Sequence, residues 1–273
     1  MDATPNHSPE AAVSDAASIA AVFVKARRSA TAMDRFPGRT PASMADAYVV
    51  QDEALKLWPA QPRGWKLGRI APELEQGLGV GRLAGPIFKV WPEAEETVVP
   101  VFEGGFAAVE AEYVFQITRD APASKLDWTL DEAAEMVDRL FVGVEMAGSP
   151  LADINSFGPI VVASDFGNNA GLILGPEIKD WRRRPLEGLT CETWIDGVCV
   201  GRGGALNIPD GPMDSVRFLL ALQAGRGRPL VAGDWVSTGA ATGIHDIKPD
   251  QSAEVTFGGD GRVRVRTVQA TPV

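Results

Sequence analysis

Glu110 and Glu112 stand two residues apart in Val109-Glu110-Ala111-Glu112-Tyr113-Val114-Phe115-Gln116-Ile117, where every odd position is apolar. That two-residue period is the mark of a strand with one face on a core and the other open. Both carboxylates then point the same way, about 7 Å apart along the strand. Like charges this close repel, and the cost rises in a partly dry cleft. A cation between them reverses the sign, so the pair reads as two ligands of a divalent metal. Glu145, flanked by Val144 and Met146, offers a third, because a carboxylate in apolar surroundings needs a partner. Three carboxylates without a nearby His or Cys form a hard oxygen site, which suits magnesium or manganese rather than zinc. A bare Glu-x-Glu more often marks a solvated strand face, so the reading depends on the company these residues keep.

Lys66, between Trp65 and Leu67, is either a surface lysine whose stem covers apolar area or a cation for an anionic substrate. A third possibility is a proton-transfer group with a lowered pKa. Asp165 precedes Phe166-Gly167-Asn168-Asn169, residue types that also form plain turns. Thr238-Gly239-Ala240-Ala241-Thr242-Gly243 is either a backbone cradle for a carboxylate or a hairpin loop. His245 has no serine in a Gly-x-Ser-x-Gly setting to partner it, which argues against a serine triad.

The elements that must hold these residues follow from periodicity. A tail over residues 1–13 leads to a helix capped by Ser14 and running to about Ala30. Thr40-Pro41 opens a second helix, with Met44, Tyr48, Leu55 and Trp58 at helical spacing. From residue 63 short strands and glycine turns take over: 64–68, 98–102, 109–117, 141–145 and 171–175. One or two helical turns are expected over 72–78. Thr129 and Glu132 have capping-box spacing for a helix whose buried face is Ala133, Met136, Val137 and Leu140. A hairpin turns at Asp196-Gly197, Asp214 caps a helix ending at Gly225, and a last hairpin turns at Gly259-Asp260-Gly261. The expected organisation is a helical N-terminal extension over 1–62 and a β-rich catalytic part over 63–273, together one structural unit.

The 273 residues suffice for a substantial core, and 45% hydrophobic with 23% charged residues is ordinary for a globular protein. A formal net charge of −10 argues against nucleic-acid binding, which relies on Lys and Arg to neutralise phosphates. Cys191 and Cys199 are the only cysteines. Without a CxxC or Cys/His cluster they fit a reducing compartment and no structural zinc. Residues 1–14 lack a basic run before an apolar core. No stretch approaches the roughly 18 apolar residues of a membrane span. A cytoplasmic protein without a membrane partner is the expectation.

Taken together and in order, Gly64-Trp65-Lys66-Leu67-Gly68, Val109-Glu110-Ala111-Glu112, Glu145 followed by Gly148-Ser149-Pro150-Leu151-Ala152-Asp153, Asp165, and Gly233-Asp234 with Ser237-Thr238-Gly239-Ala240 resemble a known pattern. The chain is similar, over roughly residues 45–270, to the 2-keto-4-pentenoate hydratase (hydratase/decarboxylase) family of the fumarylacetoacetate hydrolase superfamily. The resemblance implies an α/β (α+β) fold, a mixed β-roll of the type found in the C-terminal domain of that superfamily. It implies Mg2+ or Mn2+ on Glu110, Glu112 and Glu145, Lys66 in the active site, and a homo-oligomer. Asp165 is expected to assist catalysis, and Thr238 and Gly239 to bind substrate.

The activity implied is a lyase adding water to a 2-hydroxydienoate or 2-keto-enoate of aromatic catabolism. Decarboxylation of a related 2-keto diacid is the alternative. Acylpyruvate hydrolysis ranks lower, because hydrolases of the superfamily use a His/Glu pair and only His7 and His245 are present. A non-catalytic ligand-binding relative is a further reading. The chain departs from the family at Asp210-Gly211-Pro212, at Arg82-Leu83-Ala84-Gly85-Pro86-Ile87, and in an Asp165 loop one residue longer than usual.

Overall fold

Helical periodicity governs the chain up to Trp58, and strand alternation governs most of the sequence beyond it. The computed structural model describes residues 9–273, with side chains from residue 15. The N-terminal arm is α1 (Pro9–Arg28) and α2 (Met44–Leu57), the latter capped by Ser43 through the Asp46 amide. The helix therefore starts upstream of Ser14, at a proline that suits a first helical position. Of the expected tail, residues 1–8 lie outside the described residues and 9–13 are helical.

Beyond the arm come β1 (Gly64–Arg69), α3 (Pro72–Leu78), β2 (Arg82–Ile87), β3 (Val90–Trp91), β4 (Thr97–Val101) and β5 (Phe106–Ile117). They continue with α4 (Leu130–Ala134), β6 (Val137–Ser149), α5 (Pro159–Ser164), β7 (Asn169–Ile178), β8 (Thr190–Ile195) and β9 (Val198–Gly204). The chain closes with α6 (Pro212–Gly225), β10 (Trp235–Ser237), β11 (His245–Asp246), β12 (Ser252–Thr256) and β13 (Arg262–Gln269). One sheet has the order β2-β1-β10-β5-β6-β7-β3, with β11 pairing β5. A second has the order β4-β13-β12-β8-β9. This is a mixed α/β fold of curled sheets with helices in the minority.

The odd-numbered face of β5 lies in the main core with Val255, Val263 and Val265 of the second sheet and with Phe257 just beyond β12. Tyr113 and Phe257 meet edge to face at 5.8 Å, a preferred aromatic geometry. The even face is buried as well, which corrects the expectation of an open one. Ala108 and Ala147 on that face pack with Phe23, Ala47 and Val50 of the helical arm. No helix among the described residues is long and apolar enough to cross a membrane.

The structure revises other elements as well. The capping box of Thr129 and Glu132 forms, but α4 ends at Ala134. Val137 and Leu140 instead pair with Ile117 and Phe115 in β6, where cross-strand burial outweighs helical spacing. Residues 82–87 form β2 along the whole of β1, and Pro86 is tolerated because β2 is an edge strand. α6 is led by Gly211 and Pro212, and Asp214 pairs with Arg82 at 2.8 Å and Arg217 at 2.6 Å rather than capping. The glycine in the left-handed region after α6 is Gly227, not Gly225.

Candidate active site

Sheet register brings the expected cluster onto one face. Glu110 of β5 is opposite Glu145 of β6, well inside that strand rather than near its end. Lys66 of β1 is in register with Ser237 of β10, and Ser237 with Val114 of β5. Partners in register share a face and alternate residues return to it. Lys66, Val114, Glu112, Glu110 and Glu145 therefore lie on the same side. On a flat sheet the three strand steps from β1 to β6 would span about 14 Å. The Lys66 Nζ is nevertheless 3.2 Å from Glu145 Oε1, so the sheet rolls until β1 and β6 face each other.

The carboxylates of Glu110, Glu112 and Glu145 each offer an oxygen within 4.8 Å of the others. Glu112 and Glu145 are 0% exposed, and Glu110 and Lys66 are 3% exposed. Glu112 Oε2 accepts from the Gly239 amide at 2.6 Å, and Glu145 Oε1 accepts from Asn169 Nδ2 at 3.0 Å. Glu110 Oε1, Glu112 Oε1 and Glu145 Oε2 are buried without a hydrogen-bond partner among the described residues. Three carboxylates against one ammonium leave a formal excess of two negative charges. Unpartnered hard oxygens, convergence and that charge together fit a divalent cation.

Burial dominates the titration of the cluster. It pushes Glu110 up to about 8, with the Glu145 charge adding and Lys66 opposing. Glu112 is raised well above its ordinary range by burial, then by Glu145 and Glu110. Glu145 is also raised by burial, while Lys66 and the Asn169 hydrogen bond pull it back. Burial alone would lower Lys66, but Glu145, Glu110 and Glu112 outweigh it and raise the lysine. The upward shift favours the cation among the alternatives for Lys66 over a group with a lowered pKa.

A cavity of about 770 Å³ opens above the cluster, lined by Lys66, Glu110, Asn168, Thr238 and Gly239 among others. Its walls are apolar at Leu67, Ile70, Leu83, Val162 and Ile208 and basic at Arg69 and Arg82. Arg82 is engaged by Asp214 and the Pro209 carbonyl. Arg69 is exposed and has no ion-pair partner among the described residues.

The remaining expected residues are distributed unevenly. Thr238 Oγ1 donates to the Tyr113 carbonyl at 2.7 Å, and Ser215 Oγ donates to the Thr238 carbonyl at 2.7 Å. The loop expected to cradle a carboxylate spends the amides of Thr238, Gly239 and Ala241 on β5. The carboxylate that Gly239 binds is that of Glu112, and its φ of +122° favours glycine. Asp165 does not line the cavity; Arg27 and Ser149 occupy both its oxygens. His245 rests its Nε2 on the Thr242 carbonyl at 3.1 Å, its pKa lowered by burial. His7 lies outside the described residues. Asn168, Asn169 and Arg27 are contacts that sequence reasoning missed. For the asparagines the available signal was their tolerance of left-handed turns, and Arg27 carried none.

Comparison with known proteins bears on the same geometry. No family model matches the chain. A curated 2-keto-4-pentenoate hydratase of Paraburkholderia xenovorans is 26% identical over 242 residues, 85% of each chain. A 2-keto-4-pentenoate hydratase of Pseudomonas putida gives the same figures. This chain is similar to the 2-keto-4-pentenoate hydratases. Among solved structures, 4-oxalocrotonate decarboxylase from Pseudomonas putida G7, complexed with magnesium and adipate, superposes with a TM-score of 0.78. That match covers 97% of this chain and 100% of the other at 22% identity. Fumarylpyruvate hydrolase from Pseudomonas aeruginosa, in complex with Mn2+ and pyruvate, gives 0.51 at 18% identity, covering 78% of this chain and 91% of that one. The two structures share the fold. The similarity to 2-keto-4-pentenoate hydratases read from the ordered motifs is borne out by these relatives.

Proposed function

We propose that this chain is a divalent-metal-dependent hydratase that adds water to a 2-hydroxydienoate such as 2-hydroxypenta-2,4-dienoate. One observation carries the reading: three buried carboxylates converge with an orphan oxygen each, beside an ammonium, at the base of a cavity. Glu110, Glu112 and Glu145 would hold Mg2+ or Mn2+. Bound there, the ion supplies Lewis acidity toward the oxygens of a 2-oxo carboxylate.

The rest of the reaction is assigned to the chain's own groups. Lys66 reaches the cavity as a cation, where it binds the substrate carboxylate or carries a proton. Ketonisation places a proton on C5 of the dienol and leaves an enone. Water then adds at C4, and C3 takes the last proton, giving 4-hydroxy-2-oxopentanoate. The Gly239 amide fixes Glu112, and Thr238 with Gly239 forms the wall beside it. Asp165, paired with Arg27, supports the site from behind.

Incubation with 2-hydroxypenta-2,4-dienoate and Mg2+ tests the proposal. The dienol absorbance is expected to bleach with formation of the hydroxy-oxo acid and to persist in EDTA. A dienol left unchanged at any metal concentration refutes hydration. Glu112→Gln separates an enzyme from a ligand-binding relative, since an enzyme loses metal and turnover together. A second reading, decarboxylation of a 2-keto diacid, is favoured by Arg69, a cation on the cavity wall with no ion-pair partner among the described residues and suited to a second carboxylate.

A further inference from the structure

Arg27, in the last turn of α1, has its guanidinium buried beneath the loop 165–169. Its Nε donates to Asp165 Oδ1 at 2.6 Å and its Nη2 to Asp165 Oδ2 at 3.0 Å. Nη1 donates to the Asn169 carbonyl at 2.9 Å, and Nη2 also reaches the Gly148 carbonyl at 2.9 Å and the Asp165 carbonyl at 3.2 Å. Ser149 Oγ closes the anchor with a 2.6 Å bond to Asp165 Oδ2. The guanidinium carbon stands 5.3 Å from the centre of the Phe166 ring. One side chain thus grips both ends of the loop and a ring inside it.

Between those ends Phe166, Gly167 and Asn168 have φ of +53°, +62° and +53°. A bulky L-residue such as Phe adopts this region only when its surroundings impose it. The turn delivers the side chains of Asn168 and Asn169 to the cluster. Asn168 Oδ1 accepts from Lys66 Nζ at 3.2 Å while its Nδ2 donates to Asn155 Oδ1 at 3.1 Å. Asn169 Nδ2 donates to Glu145 Oε1 at 3.0 Å, the same oxygen that faces Lys66.

We propose that Arg27 is a positioning residue for this cluster: it clamps the loop 165–169 so that Asn168 and Asn169 hold Lys66 and Glu145 in place. The N-terminal helix is then part of the active-site scaffold. The inference rests on reading Glu145 as a metal ligand, and its test keeps the two separable. A mere staple between α1 and the sheet would cost stability and leave the cluster unchanged.

The full chain serves as Arg27→Met, Arg27→Lys, Asn169→Ala and the control Ile19→Ala, which removes a buried side chain from the same helix. Mn2+ affinity is measured by calorimetry and the protection of residues 165–172 by hydrogen exchange. Arg27→Met is expected to weaken Mn2+ by about 10- to 100-fold, the scale of lost support behind a metal ligand. Arg27→Lys should recover part of this. Asn169→Ala should weaken Mn2+ with the loop still protected. Ile19→Ala should lower the melting temperature with Mn2+ affinity within about twofold of wild type, as a distant site behaves. Arg27→Met with wild-type affinity overturns the proposal; if that variant does not fold, unchanged affinity in both Arg27→Lys and Asn169→Ala does so. A wild type that binds no Mn2+ strikes the functional reading instead. The loop then decides: faster exchange in Arg27→Met than in Ile19→Ala supports the clamp, and equal exchange refutes it.

Discussion

Lys66 Nζ and Glu145 Oε1 lie 3.2 Å apart although their strands are not neighbours, with β10 and β5 between them. The contact exists because the sheet rolls, and it is the one ion pair within the carboxylate cluster among the described residues. Breaking a buried pair by removing one partner typically costs about 3–5 kcal/mol, because the other charge is left uncompensated. Lys66→Met should therefore melt well below wild type in EDTA. Excess Mn2+ should narrow the gap, since a divalent ion takes over the neutralising role. Turnover should fall by roughly 10²- to 10⁴-fold, the range of a lost proton-transfer group. Melting curves with and without Mn2+ beside a single-turnover assay check both parts, and unaltered turnover would remove Lys66 from the chemistry.

The carboxylates make metal-free stability depend on pH with a definite sign. Glu110 is raised to about 8 from an ordinary 4.5, and Glu112 and Glu145 are raised in the same direction. Between those pH values the folded chain holds protons that the unfolded chain has released, so stability falls as pH rises. Lys66, raised above its ordinary 10.5, contributes no slope in this window. Melting temperature in EDTA should thus drop from pH 5 to 8. Saturating Mg2+ or Mn2+ should flatten the curve, because the metal binds the deprotonated carboxylates and releases their protons. At a metal concentration about 100 times Kd the added stability is about 2.7 kcal/mol. A metal-independent, flat profile would contradict the shared-charge account of the cluster.

Much of this site is local and hence legible. The alternation around Glu110 and Glu112 needs only the pleat of one strand, and the apolar flanks of Glu145 announce a buried charge without long-range information. Burial of both faces of β5 was not legible, because it depends on α1 and α2 covering Ala108. The helix expected through Leu140 failed for a similar reason, since pairing of Val137 with Ile117 is a tertiary event. Arg27 was out of reach altogether: 138 residues separate it from Asp165, and nothing in its neighbours marks it. Asn168 and Asn169 were visible as turn formers, but their targets depend on a left-handed backbone run that no residue type dictates.

Gly85 tests how tightly the loop 166–168 must sit. A Cβ there would collide with the Phe166 carbonyl oxygen and come within 2.8 Å of the Gly167 Cα. Both obstacles are backbone, so a side chain cannot simply swing aside. Gly85→Ala should destabilise by about 1–3 kcal/mol, the usual cost of overpacking. It should also lower kcat more than it raises KM, because the displaced turn carries Asn168 away from Lys66. Thermal melts and steady-state kinetics read the two effects, and a variant with wild-type kcat would uncouple the loop from the lysine.

Arg69 decides between the two substrate classes. It lines the cavity three residues after Lys66, and no carboxylate of the described chain pairs with it. A monoacid bound by the lysine end leaves Arg69 in water, where its removal costs little. A diacid would set its far carboxylate against the guanidinium, and a charge-assisted hydrogen bond of about 1.5–3 kcal/mol corresponds to roughly 10- to 150-fold in kcat/KM. Arg69→Gln should therefore leave turnover of 2-hydroxypenta-2,4-dienoate within about twofold of wild type. If 4-oxalocrotonate is turned over as well, the variant should lose that activity by the larger factor. Measuring kcat/KM for both acids on both proteins gives the answer as a ratio. Equal losses on the two substrates would mean that Arg69 shapes the cavity without reading the second charge.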